Sequence, residues 1–302
     1  MNLDVDFGTW YADITRRVDL RIRDRMQTIM QGSHPSIWRG RGDDFDSFQP
    51  HTLGEETTHI DRKASERLED GFLVRKLREE RMLDVWIAVD LSASMWTGFS
   101  PEGCKQRLLL DIVAVVGRSL LHQQDQLGVI GFDRTIRTVL EPFRSEKAFV
   151  NLLQTLWEFQ PEPGTTTSLL PALQFFASHK GTGHTKRKRL VLVLSDFDTE
   201  DDWIPAVQRI RATHPIVPVW LEEPLPQTLF ANAGLLTYRD VETGAYATVE
   251  PGTWIEWVQA HKRREQERCL AQLEATGTPI LLVSQETFSV DRLITFLDEQ
   301  LL

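Results

Sequence analysis

The segment Asp84-Val85-Trp86-Ile87-Ala88-Val89-Asp90-Leu91-Ser92-Ala93-Ser94 joins an unbroken apolar run to three hard oxygen ligands. Val85 to Val89 have strand length and no polar alternation, the pattern of a strand buried on both faces of a sheet. In an extended continuation, successive side chains alternate sides, so Asp90, Ser92 and Ser94 share one side and can converge on a small cation. The same string also reads as a strand end entering a polar turn. Residues further along the chain separate the two readings.

From residue 84 onward, strand patterns alternate with helical ones, which predicts an α/β fold with a doubly wound, mostly parallel sheet and helices on both faces. Strands are expected at 84–90, 127–132, 135–140, 189–195, 216–221 and 279–283. Helices are expected at 104–123, 146–157, 168–179, 201–213, 254–275 and 289–301, the last capped by Ser289. Leu235–Tyr238 and Tyr246–Val249 flank Glu242-Thr243-Gly244 and predict a β-hairpin excursion near 235–249. Ahead of the sheet, Trp10, Ile14, Val18, Ile22, Met26 and Ile29 recur three or four apart and mark an amphipathic helix docked on the protein's own core. Residues 32–66, rich in Gly, Pro, Asp and His, lack periodicity and read as an irregular lobe. The expected organisation is an N-terminal helix and lobe over 1–80, then the α/β domain over 81–302.

In an open doubly wound sheet, ligands bind beyond the carboxyl ends of the strands, near the point where strand order reverses. The run Leu190–Ser195 is a second buried strand, and it ends in Asp196-Phe197-Asp198. Between the two strands, Gly164-Thr165-Thr166-Thr167-Ser168 turns into a helix and brings a threonine hydroxyl to its mouth. Asp90, Ser92, Ser94, one of the three threonines and Asp196 then form an all-oxygen set suited to Mg²⁺, with Mn²⁺ tolerated. Three of the five ligands are neutral, so the ion keeps affinity for a carboxylate from outside.

The 34 basic residues are outnumbered by 44 acidic ones, and a net charge of −10 disfavours nucleic-acid phosphates and anionic membranes. Cys104 and Cys269 lack zinc or disulfide spacing, which fits a reducing cytoplasm. The chain opens with Asp4, Asp6 and Trp10 where a leader would be basic and apolar, and its longest apolar stretch, Leu108–Leu121, is interrupted by Asp111 and Arg118. No membrane span is expected. Lys186–Arg189 reads as a solvated loop before a strand. Met95, Trp96 and Phe99 either rim the site as partner anchors or pack the lobe.

Asp90-Leu91-Ser92-Ala93-Ser94, the threonine turn and Asp196 resemble the metal-ion-dependent adhesion site of von Willebrand factor A domains. In that family the threonine stands six residues before the Leu of an Ala-Leu pair, here Leu173. The resemblance therefore selects Thr167, with Thr165 as the fallback. It also implies that the serines and threonine touch the metal while the aspartates act through water. Gly54-Glu55-Glu56 … Ile60-Asp61-Arg62 … Ala64, together with Gly40–Phe45, Ser94-Met95 and Tyr238–Gly244, is similar to the signature of domain-of-unknown-function family 58, a bacterial von Willebrand A-like family. Arg62 replaces that signature's usual Trp, and Glu55-Glu56 its Asp-Asp. Asp61 and Arg67 read as an ion pair fixing the lobe.

The reading that follows is a metal-dependent interaction module, not an enzyme, whose cation takes an Asp or Glu from a partner protein. The resemblance implies a MoxR-type AAA+ ATPase as partner, in assembling or activating a protein complex. The alternative is a metal-dependent phosphatase or hydrolase on the same carboxylates. A dehalogenase-type phosphatase needs an aspartate where Ser92 stands, and neither a nucleophile elbow nor a nucleotide-binding loop occurs.

Overall fold

The computed structural model describes residues 6–30, 45–50, 73–77, 83–96, 105–162, 164–179, 188–223, 234–239 and 244–301. The chain divides into two compact units, one of residues 1–37 with 83–302 and the other of residues 38–82. The N-terminal helix falls in the same unit as the sheet. In the smaller unit, β1 (Phe45–Pro50) pairs antiparallel with β2 (Leu73–Leu77), placing Phe48 opposite Arg75. That strand falls within 32–66, where an irregular lobe was expected. Its pairing partner lies more than twenty residues downstream, so no local periodicity announces it. Arg41–Asp43, Gly54–Arg67 and Phe99 lie outside the described residues.

The larger unit is built on β3 (Leu83–Asp90), β4 (Gln126–Phe132), β5 (Ile136–Phe143), β6 (Lys188–Ser195), β7 (Ile216–Glu222) and β10 (Leu281–Ser284). These stand in the order β10-β7-β6-β3-β4-β5, and every pair is parallel except β4 with β5. From β3 the chain builds outward to one edge, then returns to β3's other side and builds outward to the opposite edge. The reversal point lies between β3, which ends in Asp90, and β6, which ends in Ser195 just before Asp196. This is the expected von Willebrand A-like arrangement. The short pair β8 (Leu236–Arg239) and β9 (Tyr246–Val249) forms the expected antiparallel hairpin.

Every residue from Val85 to Asp90 is buried, as its continuous apolar run requires. Trp86 and Ala88 face a cluster that includes Ile130, Leu173, Phe176, Val191, Val207 and Leu273. Val85, Ile87 and Val89 alternate onto the other face. Gly128, paired with Trp86 on the neighbouring strand, leaves room for the indole: a Cβ there would lie 2.6 Å from the ring. Arg189, at the start of the strand expected over 189–195, belongs to β6 and is not solvated with the basic run before it. It is buried, donates to the His179 carbonyl at 2.8 Å and stands 5.9 Å from the Trp86 ring centroid.

Helix α1 (Phe7–Met30) packs on α2 (Lys105–His122) through Trp10, Ile14 and Val18, all buried at helical spacing. Each such side chain contributes about 1.5–3 kcal/mol relative to exposure. Polar contacts set the register: Trp10 Nε1 donates to Asp111 at 2.7 Å, and Arg118 clasps Asp19 through two nitrogens at 3.0 and 3.1 Å. The other helices among the described residues are α3 (Glu146–Glu158), α4 (Leu170–Ser178), α5 (Ile204–Arg211), α6 (Pro251–Ala275) and α7 (Val290–Leu301). Ser289 caps α7 as expected, its Oγ accepting from Arg292 N at 3.1 Å.

Candidate metal centre

Asp90 terminates β3 without exposure to solvent, and its carboxylate organises the loop that follows. Oδ1 accepts from Ser92 N at 2.9 Å, which bends the chain so that Met95 N reaches Ser92 O at 3.2 Å and a short 3₁₀ turn forms over Ala93–Trp96. Leu91 N donates to Phe132 O at 2.6 Å, tying this loop to the end of β4. The hydroxyls of Ser92 and Ser94 lie 3.1 Å apart.

The other oxygen of Asp90, Oδ2, accepts from Ser195 Oγ at 2.6 Å and from Thr167 Oγ1 at 3.3 Å. Two hydroxyls, one from the threonine turn and one from the end of β6, thus spend their protons on one carboxylate. Thr165 turns elsewhere, donating to the Glu162 carbonyl at 2.7 Å. Its neighbourhood is held through main-chain carbonyls: Ala93 N approaches Thr165 O at 3.4 Å, and Thr199 Oγ1 donates to Thr167 O at 3.0 Å. Asp201 completes the clamp, accepting from Ser168 Oγ and Leu169 N, both at 2.8 Å, at the start of α4. It supplies from a separate loop the cap that the helix's own Leu169 cannot provide.

Asp196 is differently placed. Its Oδ2 accepts from Lys105 Nζ at 2.5 Å, and its Oδ1 from Asp198 N at 3.2 Å. The turn passes through Phe197 at φ 52°, a left-handed conformation that costs a bulky residue on the order of 1–3 kcal/mol. Ring contacts to Trp203 and Trp220, at centroid separations of 4.7 and 5.1 Å, hold it there.

Burial pushes the Asp90 carboxyl up to about 6, helped by the nearby charge of Asp196 and opposed by the hydrogen bonds from Ser195 and Ser92. Burial acts on Asp196 in the same sense, but the Lys105 ammonium outweighs it and holds that carboxyl below the ordinary range.

Of the five expected ligands, Asp90, Ser92, Ser94 and Thr167 fall in one chain of short polar contacts, and Asp196 lies within electrostatic reach, turned toward Lys105. Two neighbours were missed. Ser195 is the last residue of a buried apolar strand, and its polarity one step before Asp196 was the available signal. Lys105 opens a helix among charged residues, and nothing in its local pattern sets it apart. Met95 and Trp96 are buried, Trp96 edge-on to Phe159 at 5.0 Å, so they pack and do not rim the site.

The donor chemistry fits a hard divalent cation. All five groups offer oxygen, and the hydroxyls that donate to Asp90 keep lone pairs for a metal. The 3.1 Å between the serine oxygens also matches the ~2.9 Å edge of an octahedron with metal–oxygen bonds near 2.0–2.1 Å.

The chain belongs to the DUF58 family, described as a protein of unknown function, whose profile matches residues 47–267. It is 20% identical over 236 residues to the uncharacterized protein Rv1480 of Mycobacterium tuberculosis, covering 77% of this chain and 71% of that one. Among solved structures it is similar to an aerotolerance-related membrane protein from Bacteroides fragilis, at 15% identity and a TM-score of 0.49, covering 72% of this chain and 98% of that one. It is also similar to proximal thread matrix protein 1 from the mussel byssus, solved with a zinc-occupied MIDAS motif, at 14% identity and a TM-score of 0.36 over 49% of this chain and 40% of that one. Among the described residues, no helix is long and apolar enough to cross a membrane.

Proposed function

We propose that this chain is a metal-dependent protein-interaction module, not an enzyme. Asp90, Ser92, Ser94 and Thr167, with Asp196 beside them, hold Mg²⁺ or Mn²⁺. When bound, the cation supplies positive charge that an Asp or Glu of a partner protein coordinates. The observation that carries this reading is the shared carboxylate: Ser195 and Thr167 both donate to Asp90 Oδ2, so neutral oxygens are arranged around a single buried anion. Neutral ligands leave a divalent ion short of negative charge, which favours capture of an outside carboxylate over a closed structural site. The family resemblance adds a MoxR-type AAA+ ATPase as the partner class, and assembly or activation of a protein complex as the task.

Calorimetric titration of Mg²⁺ and Mn²⁺ into the wild type and Asp90→Ala, followed by partner capture with and without chelator, tests the proposal. Saturable binding and capture that both vanish in the variant are expected. Capture indifferent to chelator and to Asp90→Ala would reject it, and turnover of a phosphate ester lost in the same variant would replace it with hydrolase chemistry.

A further inference from the structure

The metal site already contains a cation of its own. Lys105, the first residue of α2, is buried with its side chain 10% exposed, and its Nζ lies 2.5 Å from an oxygen of Asp196, itself 7% exposed. Glu223 and Asp198 also lie within electrostatic reach of the ammonium. A lysine stem carried this deep, with its charge on a predicted metal carboxylate, is not a surface ion pair.

We propose that Lys105 is an internal competitor for the metal, one that weakens binding of a divalent cation alone and makes retention of the metal depend on a partner's carboxylate. The inference rests on the metal-binding reading and follows from counting charges. Asp90, Asp196 and Lys105 together carry one negative charge. Adding a divalent ion leaves the buried cluster at plus one, and one carboxylate from a partner returns it to neutrality. Without Lys105, the two aspartates offset the ion's formal charge, and the demand for an outside anion, already set by the neutral hydroxyl ligands, becomes weaker. Uncompensated charge in a water-poor site is costly, so the count sets the order of affinities. A lysine here strengthens the bias of the site toward holding metal and partner together.

The test uses the full chain and the metal alone as probe. Mg²⁺ and Mn²⁺ are titrated calorimetrically into wild type, Lys105→Met, Lys105→Arg and the double variant Lys105→Met with Asp90→Ala, and the metal-induced rise in melting temperature is recorded for each. Methionine keeps the apolar stem and removes the charge, whereas arginine keeps the charge. Lys105→Met is expected to bind metal about tenfold or more tighter than wild type and to show the larger metal-induced thermal shift. Lys105→Arg should stay near wild type, and the double variant should not bind. Equal or weaker affinity in Lys105→Met, with wild-type binding still dependent on Asp90, overturns the competitor role and leaves the metal site standing. If neither wild type nor Lys105→Met binds metal, both readings fall. Should Lys105→Met unfold without metal, refolding on addition of Mg²⁺ supports the proposal, and failure to refold at millimolar Mg²⁺ overturns it.

Discussion

Two aspartates stand at matching ends of adjacent parallel strands, Asp90 closing β3 and Asp196 following β6, yet the protein treats them oppositely. Asp90 is surrounded by neutral donors, two hydroxyls and a backbone N–H, and burial pushes its carboxyl up. Asp196 is given a full counter-charge, and its carboxyl is held down. Hydrogen bonds satisfy lone pairs without cancelling charge, so Asp90 keeps most of its attraction for an incoming cation. The ammonium on Asp196 cancels that attraction before any metal arrives. Similar strand ends at a similar depth thus become one open and one occupied half of the candidate site.

The comparison breaks most directly at Asp90. Asp90→Ala should abolish calorimetrically detectable Mg²⁺ binding, whereas removing the occupied half as a pair, Asp196→Ala with Lys105→Met, should weaken it and leave it measurable; equal loss in both would erase the distinction between the two halves. On the occupied side, Lys105→Met in chelator is expected to destabilise the fold by about 3–5 kcal/mol, read from urea unfolding, because one partner of a buried pair is left uncompensated. A cost within error of zero would mean that water reaches Asp196 freely.

Smaller effects sharpen the contrast. Thr167→Val should cost about tenfold in metal affinity, roughly 1.4 kcal/mol, whereas Thr165→Val, which loses only a turn contact to Glu162, should change it by less than about twofold. The reverse order in titration would transfer the ligand role to Thr165. Asp201→Ala, which uncaps α4, should lower stability by about 1 kcal/mol and be visible as a fall in melting temperature.

The pH dependence is the subtlest. Asp90 binds its proton more tightly in the folded chain, near 6, than at the ordinary 3.8. In chelator its ionisation therefore removes stability as pH rises from about 4 to about 6. Urea midpoints at pH 4.5 and 6.5 should fall further in wild type than in Asp90→Asn, and parallel profiles would refute the shift.

Much of this was legible from one dimension. Buried strands such as Val85–Val89 and Leu190–Leu194 announce themselves because a parallel sheet covered on both faces needs uninterrupted apolar runs. The reversal of strand order then requires their polar carboxyl ends to meet. The strand Phe45–Pro50 and the buried Arg189 were not legible, since both depend on partners distant in the chain: the strand on β2, the arginine on Trp86 and the His179 carbonyl. Ser195 was visible but unassigned, because a serine at a strand end has many ordinary uses.

The sequence by itself determined the α/β layering, the placement of Asp90, Ser92 and Ser94 on one loop, and the presence of a second carboxylate and a threonine turn at the same edge. These follow from side-chain period and strand order, which are local or combinatorial properties. Only the tertiary structure decided that Thr167 and Ser195 meet on one oxygen of Asp90 and that Lys105 reaches Asp196. Those contacts span 77, 105 and 91 residues of chain, and at such separations burial and packing choose the partner, not spacing.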